Sequence, residues 1–259
     1  MDSVKQGPTP YSEINRVLLD LHGRVIDILG ASFIGMYLYG SLAVNDFNPS
    51  RSDIDFVVIT DDHLAGSIVD ALESMHRELF QGGNRWVKKL EGAYVPKAII
   101  RRHVSDHPPV PMLNEGKFYT ASLGGDWVLQ RKMLRNSNRA ISGPLLYDLI
   151  DPVSPDDLKS AMLEVIDEWW EPMLDNPSRL QDPGYQPYAV LSMCRTLYTL
   201  TTGELVSKEK AASWAMESLA SGFYALIDHA LGWGEGDPIE SIDRTTEFIK
   251  YVIELCRSL

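Results

Sequence analysis

The fold is decided by the stretch YLYGSLAVNDFNPSRSDIDFVVIT, residues 37–60. An apolar run ends at Gly40-Ser41, a polar loop follows, and a second apolar run then predicts a buried strand. Asp53 and Asp55 stand at the start of that strand. Because side chains alternate along a strand, we expect both carboxylates to project from the same face.

These residue types indicate phosphate and metal chemistry. Neighbouring carboxylates repel each other, and a hard divalent cation offsets that repulsion. Magnesium favours one or two carboxylates together with substrate phosphate oxygens. Gly40 would let a phosphate approach the main chain closely, and Ser41 adds a hydroxyl donor. The alternative is an exposed turn followed by a strand whose first acids, Asp53 and Asp55, are merely solvated.

The joint pattern is more specific than either part. The combination resembles the nucleotidyltransferase superfamily of the DNA polymerase β type: an apolar strand, Gly-Ser, eleven intervening residues, and then Asp-x-Asp before four apolar residues. A third carboxylate is then expected on a neighbouring strand, and Glu91, within the predicted strand 86–95, is the candidate. It would act as general base or as a further metal ligand. Outside this context it would read as an exposed strand residue.

The chain is predicted to be an α+β protein in two parts. Residues 1–153 would form a polymerase β-like nucleotidyltransferase domain, a mixed sheet with flanking helices. Residues 154–259 would form an all-α helical bundle. Further local predictions are the following: a first helix capped by Ser12, a second helix capped by Asp61 or Asp62, a strand over 97–104, a loop over 107–111, a helix starting at Ser154-Pro155, and helices over 188–202 and 208–219.

The second half narrows the family. Residues 188–217, with the stretches 142–144 and 149–153, resemble aminoglycoside adenylyltransferases that modify streptomycin and spectinomycin at the 3''- and 9-hydroxyls. The resemblance implies Mg²⁺-dependent transfer of AMP from ATP to a hydroxyl of an aminoglycoside or aminocyclitol, with release of pyrophosphate.

The resemblance also assigns residues. It implies the following roles: Asp53, Asp55 and Glu91 as catalytic and metal-binding carboxylates, Gly40 and Ser41 at the phosphates, Lys208 at the triphosphate, and Asp126 near the nucleotide. Without it, Lys208 would be read as a solvated surface lysine. Arg195 is either a structural ion-pair residue or a nucleotide contact, and we favour the structural interpretation.

Three positions depart from the family where it contacts the acceptor. Phe118 stands in place of a tryptophan beside the drug, and Ala230 in place of a tyrosine. Asp182 lies near an acidic pair whose spacing is shifted. We therefore expect Phe118 and Asp182 to line the acceptor site and spectinomycin to be favoured over streptomycin. No pattern in the sequence indicates recognition of the nucleotide base, so a triphosphate other than ATP is an alternative substrate.

Composition constrains the partners. A net charge of -12 disfavours nucleic acid and favours a cationic small-molecule acceptor. No apolar run reaches the length of a membrane span, no signal-peptide pattern opens the sequence, and two cysteines suggest buried thiols, so a cytoplasmic, membrane-free and monomeric protein is expected. Two alternatives remain: a nucleotidyltransferase with a protein, metabolite or RNA-end acceptor, and a catalytically silent nucleotide-binding relative.

Overall fold

The structure is a computed structural model that describes residues 7–50, 52–104, 106–219, 221–234, 236–237 and 241–259. It divides into two compact units. The first unit runs to residue 123 and includes 130–152, and the second contains 124–129 and 153–259. The predicted division after residue 153 differs from this one mainly in the segment 124–129, which groups with the helical unit.

The first unit contains a sheet and its covering helices. Its strands are β1 Phe33–Leu38, β2 Ile54–Thr60, β3 Leu90–Pro96, β4 Val110–Asn114, β5 Lys117–Ala121 and β6 Arg139–Ser142. Its helices are α1 Ser12–Leu29, α2 Gly40–Ala43, α3 Gly66–Gln81, α4 Lys97–Arg101, most of α5 Asp126–Ser137, and α6 Leu146–Leu149.

The strand order within the described residues is β5-β4-β3-β2-β1-β6. Strands β2 and β3 pair in parallel, and the other neighbours pair antiparallel. The sheet is therefore mixed, which confirms the predicted architecture of this unit.

One sheet face packs on helices. Alternate residues such as Phe56 on β2 and Tyr94 on β3 join a buried cluster with residues of α1 and α3, including Leu18 and Leu72. Burying these apolar side chains is the main force that holds the sheet against its helices. The intervening strand residues, Asp55 and Glu91 among them, therefore point to the opposite face.

Several local predictions for this unit were wrong. Ser12 is the first residue of α1, while Tyr11 holds the capping position and makes no side-chain cap. The helix predicted to start at Asp61 or Asp62 starts at Gly66. Residues 97–104 are not a strand.

The segment after β3 shows why. Helix α4 buries the consecutive residues Ile99 and Ile100, a pattern that does not alternate as a half-buried strand would. The loop predicted over 107–111 is wrong for Val110 and Pro111, which already belong to β4. The β4–β5 hairpin has Gly116 at φ 77° in its turn. Such a glycine-containing connection is typical of hairpins.

The second unit is helical in its described part. Its helices are α7 Pro155–Val165, α8 Glu171–Asp175, α9 Tyr185–Thr202, α10 Lys208–Ser218, α11 Tyr224–Gly232 and α12 Ile242–Arg257, with a π-helical turn at Ile166–Trp170. The predicted start of α7 is confirmed, because Ser154 and Asp157 form a reciprocal capping box. Helix α9 ends at Gly203 in the left-handed conformation. The helical C-terminal region is thus confirmed.

Buried residues of α9, such as Met193 and Leu197, pack in one cluster with residues of α7, α10, α11 and α12. Helix α9 is accordingly the central element of the second unit. Among the described residues, no helix is both long and apolar enough to cross a membrane.

Candidate active site

Gly40 follows the end of β1 and lies in direct contact with Asp55. Gly40 has φ 61°, a left-handed conformation that favours glycine. A Cβ atom at Gly40 would lie 2.7 Å from Cγ of Asp55 and would overlap its carboxylate. The backbone N–H of Tyr39 donates to the carbonyl oxygen of Asp55 at 3.2 Å. The glycine turn and the carboxylate therefore form one packed unit, which excludes any larger residue at position 40.

Asp55 and Glu91 are direct register partners on the parallel strands β2 and β3. Partnered residues point to the same face, and neighbouring strands lie about 4.8 Å apart. Both side chains are half-buried, and Asp53 is exposed just before β2 begins. The structure thus brings Asp55, Glu91 and the Gly40 turn together on one face.

The hydroxyl of Ser41 needs a partner. Its Oγ atom is buried and has no hydrogen-bond partner among the described residues. Leaving such a group unsatisfied costs about 1–3 kcal/mol. A phosphate oxygen at the turn would satisfy it. Helix α2, only four residues long, offers little macrodipole, so phosphate binding would depend on the hydroxyl and nearby N–H groups.

A magnesium ion is the metal that the residues imply. In the part of the chain that the structure describes, no group of three or more His, Cys, Asp or Glu side chains is placed to hold a metal ion by itself. Two carboxylates completed by substrate phosphate oxygens are the usual magnesium arrangement. Asp55 beside Gly40 fits a metal bound together with a triphosphate, and Asp53, two residues before it, is the second ligand that the sequence predicts. The role of both as ligands stays a prediction, as does that of Glu91.

Phe118 lies on the other face of the sheet. Phe118 is the register partner of Leu113 on β4, and Leu113 is the partner of Gly92 on β3. Gly92 is in turn the partner of Phe56 on β2, so Phe118 points to the face of Phe56 and not to that of Asp55. Its ring stacks on His76 at 5.6 Å and lies 6.4 Å from the ring of Tyr94. This position accounts for Phe118 as a core residue and gives no support to the acceptor contact predicted for it.

The same aromatic group contains a buried hydrogen bond. His76 Nε2 and the Tyr94 hydroxyl are 2.7 Å apart. Burial lowers the pKa of His76 to about 4 and raises the pKa of Tyr94. The imidazole is therefore neutral at physiological pH, and it serves the core beneath the strands that carry Asp55 and Glu91.

Asp126 belongs to the second unit, at the start of α5. It is solvent-accessible, yet the protein atoms packed around its carboxyl raise its pKa, and the nearby charge of Glu164 acts in the same direction. The N–H of Trp127 and the charge of Arg195 oppose the shift. The sequence singled out Asp126 and Arg195 but missed Glu164, whose Cδ would lie 3.0 Å from a Cβ at Gly125.

Lys208 is the first residue of α10. Ser207 caps this helix by accepting the N–H of Lys210 at 3.2 Å. The Lys208 ammonium lies 3.9 Å from the ring centroid of Tyr188. Sequence reasoning missed Tyr188, because an exposed aromatic residue on a helix is only a weak functional signal.

The two remaining acceptor positions have structural roles. Asp182 is exposed and accepts the N–H of Gly184 at 2.9 Å, which closes a turn before α9. Ala230 is 3% exposed and packs within the helical core. The acceptor contact of Asp182 stays a prediction.

Two protein-family models match the chain. Residues 13–113 match "Nucleotidyltransferase domain", and residues 148–258 match "Aminoglycoside adenylyltransferase, C-terminal domain". The Asp55–Glu91 pair falls within the first match and Lys208 within the second.

Relatives and a solved structure share this organisation. An Escherichia coli protein named aminoglycoside (3'') (9) adenylyltransferase is 26% identical over 257 residues, covering 93% of this chain and 94% of the relative. A Staphylococcus aureus spectinomycin 9-adenylyltransferase is 24% identical over 242 residues, covering 89% and 86%. A spectinomycin adenyltransferase from Enterococcus faecalis, crystallised with ATP and spectinomycin, superimposes with a TM-score of 0.74 at 20% identity, covering 93% of this chain and 99% of the other. The chain therefore belongs to the aminoglycoside (3'')(9)-adenylyltransferase-like family of nucleotidyltransferases and is an enzyme of that type.

Proposed function

We propose that the protein transfers AMP from ATP to a hydroxyl group of a cationic aminocyclitol or aminoglycoside and releases pyrophosphate. The observation that carries this proposal is the contact between the Gly40 turn and Asp55, with Glu91 as register partner of Asp55. It sets a phosphate-binding turn beside two carboxylates on one sheet face. The relatives' names supply the class of reaction.

Asp53 and Asp55 would hold Mg²⁺ together with phosphate oxygens of ATP. When bound, the metal neutralises charge on the phosphates and orients them for in-line displacement. Gly40 leaves room for the phosphate chain, and Ser41 donates to it a hydroxyl that has no partner among the residues the structure describes. We assign Lys208 to a further contact with the phosphates on the basis of the family resemblance.

Glu91 would act as the general base. The acceptor oxygen attacks the α-phosphorus, its proton passes to the Glu91 carboxylate, and the bond between the α-phosphorus and the bridging oxygen to the β-phosphorus breaks. Pyrophosphate leaves with that oxygen. Glu91 is suited to this step because it is half-buried and adjacent to Asp55, so substrates bound at the carboxylates lie within its reach.

The acceptor is proposed to be cationic, and spectinomycin is favoured over streptomycin. The net charge of -12 attracts a polyamine-like ligand over short range. Two positions at which dual-specificity relatives carry aromatic acceptor contacts differ here: Phe118 packs in the aromatic core and Ala230 in the helical core. Asp182 is the residue proposed to contact the acceptor.

The test is direct detection of the product. Purified protein is incubated with ATP and Mg²⁺ and with spectinomycin, streptomycin or kanamycin, and the drug is analysed for an AMP adduct by mass spectrometry. Asp55→Asn and Glu91→Gln should each abolish the adduct. Asp70→Asn, an exposed acid on α3, is the matched control and should leave it unchanged.

The outcomes separate the alternatives. An adduct that persists in Asp55→Asn refutes the metal assignment, and an adduct formed equally from GTP refutes the choice of ATP. ATP binding without any adduct favours a non-drug acceptor or a catalytically silent nucleotide-binding relative. Absence of ATP binding refutes the nucleotide site itself.

A further inference from the structure

The Lys208 ammonium lies over the face of Tyr188, 3.9 Å from the ring centroid. Lys208 is half-buried at the start of α10, and Tyr188 is 44% exposed on α9. A cation at this distance from an aromatic face is attracted by the ring's quadrupole.

The place of Lys208 in the helix makes a contact with an electron-rich ring favourable. The first turn of a helix carries partial positive charge, and cations are favoured at the opposite end. Ser207 satisfies one N–H of that turn, and Glu209 brings a negative charge to it. The ring of Tyr188 adds a further favourable contact for the Lys208 ammonium. A lysine at the N-terminal end of a helix, where a cation is disfavoured, with an aromatic ring packed against it indicates that the lysine charge has a function.

The ring of Tyr188 is itself held in place. Its centroid is 5.2 Å from that of Tyr185 and 6.4 Å from that of Trp170, which is 2% exposed. The hydroxyl of Tyr185 accepts the indole N–H of Trp169 at 2.9 Å. Trp169 and Trp170 lie in the π-helical turn, so an irregular turn presents two adjacent indoles to the tyrosines.

We propose that Tyr188 is a positioning residue that holds the Lys208 ammonium for the phosphates of ATP. This rests on the proposed function, in which Lys208 contacts those phosphates. A lysine side chain has high rotamer freedom, and ordering it on binding costs affinity. The tyrosine face restricts that freedom beforehand.

The experiment is a double-mutant cycle read by calorimetric titration with ATP and Mg²⁺. Tyr188→Leu should raise the dissociation constant of ATP about two- to fivefold, the range of a cation–π contact at an accessible site. Tyr188→Phe keeps the ring and should bind as the wild type does. In a Lys208→Ala background, Tyr188→Leu should cause no further loss. Tyr224→Leu removes an exposed tyrosine from α11 and serves as control.

Other results overturn the inference. An equal loss from Tyr188→Leu with and without Lys208 shows that the tyrosine acts independently of the lysine, and a loss in Tyr188→Phe assigns the effect to the hydroxyl. If the leucine variant does not fold, Tyr188→Met replaces it with the same expectations. Unchanged ATP binding in Lys208→Ala would refute the contact between Lys208 and the phosphates, on which this inference depends. The Asp55→Asn assay tests the proposed AMP transfer separately.

Discussion

Gly40→Ala probes the contact between the Gly40 turn and the Asp55 carboxylate. Alanine at φ 61° carries a left-handed backbone strain of about 1–2 kcal/mol. The new Cβ would also overlap the Asp55 carboxylate, with Cγ at 2.7 Å. Forcing atoms into an occupied space adds about 1–3 kcal/mol. We expect the free energy of unfolding to fall by about 2–5 kcal/mol.

Gly83→Ala is the matched control. Gly83 has a similar φ of 73°, but a Cβ there meets no atom of the described residues within 4 Å. This variant should lose only the strain, about 1–2 kcal/mol. The difference between the two variants therefore measures the overlap with Asp55 and not the cost of a left-handed alanine.

Urea unfolding and AMP transfer give the two readouts. Since a displacement of about 1 Å in a reacting site can cost about 100-fold in rate, Gly40→Ala should lose at least that much activity while Gly83→Ala keeps nearly all of it. Replacing Asp55 by alanine should reduce the destabilisation caused by Gly40→Ala. Equal destabilisation of the two glycine variants, or full activity of Gly40→Ala, would refute the proposed packing of turn and carboxylate.

Three further changes are predicted. In Gly92→Ala the new Cβ lies 2.6 Å from the backbone oxygen of Phe56, so the free energy of unfolding should fall by about 1–3 kcal/mol in urea titrations, and an unchanged midpoint would count against the strand packing. Gly23 is exposed within α1 with open space around it, so Gly23→Ala should stabilise by about 0.5–1 kcal/mol, and a loss would contradict the assigned helix. The pKa of His76 is lowered from 6.5 to about 4, so the unfolded chain binds a proton in that window which the folded chain does not. Stability should therefore fall as pH drops from 6.5 to 4, by up to about 3 kcal/mol, and an unchanged slope in His76→Gln would disprove this origin.

Strong local signals predicted the framework of the site. The apolar run after Asp55 forms β2, and the Gly40 turn ends β1. Both follow from short-range rules: a run of apolar β-branched residues forms a buried strand, and a glycine follows where the backbone must turn. Capping at Ser154 and Ser207 was predictable for the same reason, because the cap and its partner are three residues apart.

Features that depend on distant partners were not predictable. The strand expected over 97–104 is in part the helix α4. The consecutive Ile99 and Ile100 disfavour a half-buried strand, but a short apolar run fits a fully buried strand as well as a helix, so tertiary packing decides. Phe118 was placed by resemblance at the acceptor, but its side of the sheet depends on the pairing of β3, β4 and β5. The contact of Lys208 with Tyr188 joins two helices and leaves no periodic signal in the sequence.

The parallel register of β2 and β3 has a consequence for how this enzyme can evolve. A slip of one residue between these strands would turn Glu91 to the helix-covered face and expose the opposing apolar set, including Tyr94. The alignment of the carboxylates is thus protected by the same packing that keeps the protein folded. Mutations can accumulate in the loops and helices, while the spacing of Asp55 and Glu91 stays fixed for as long as the protein can fold at all.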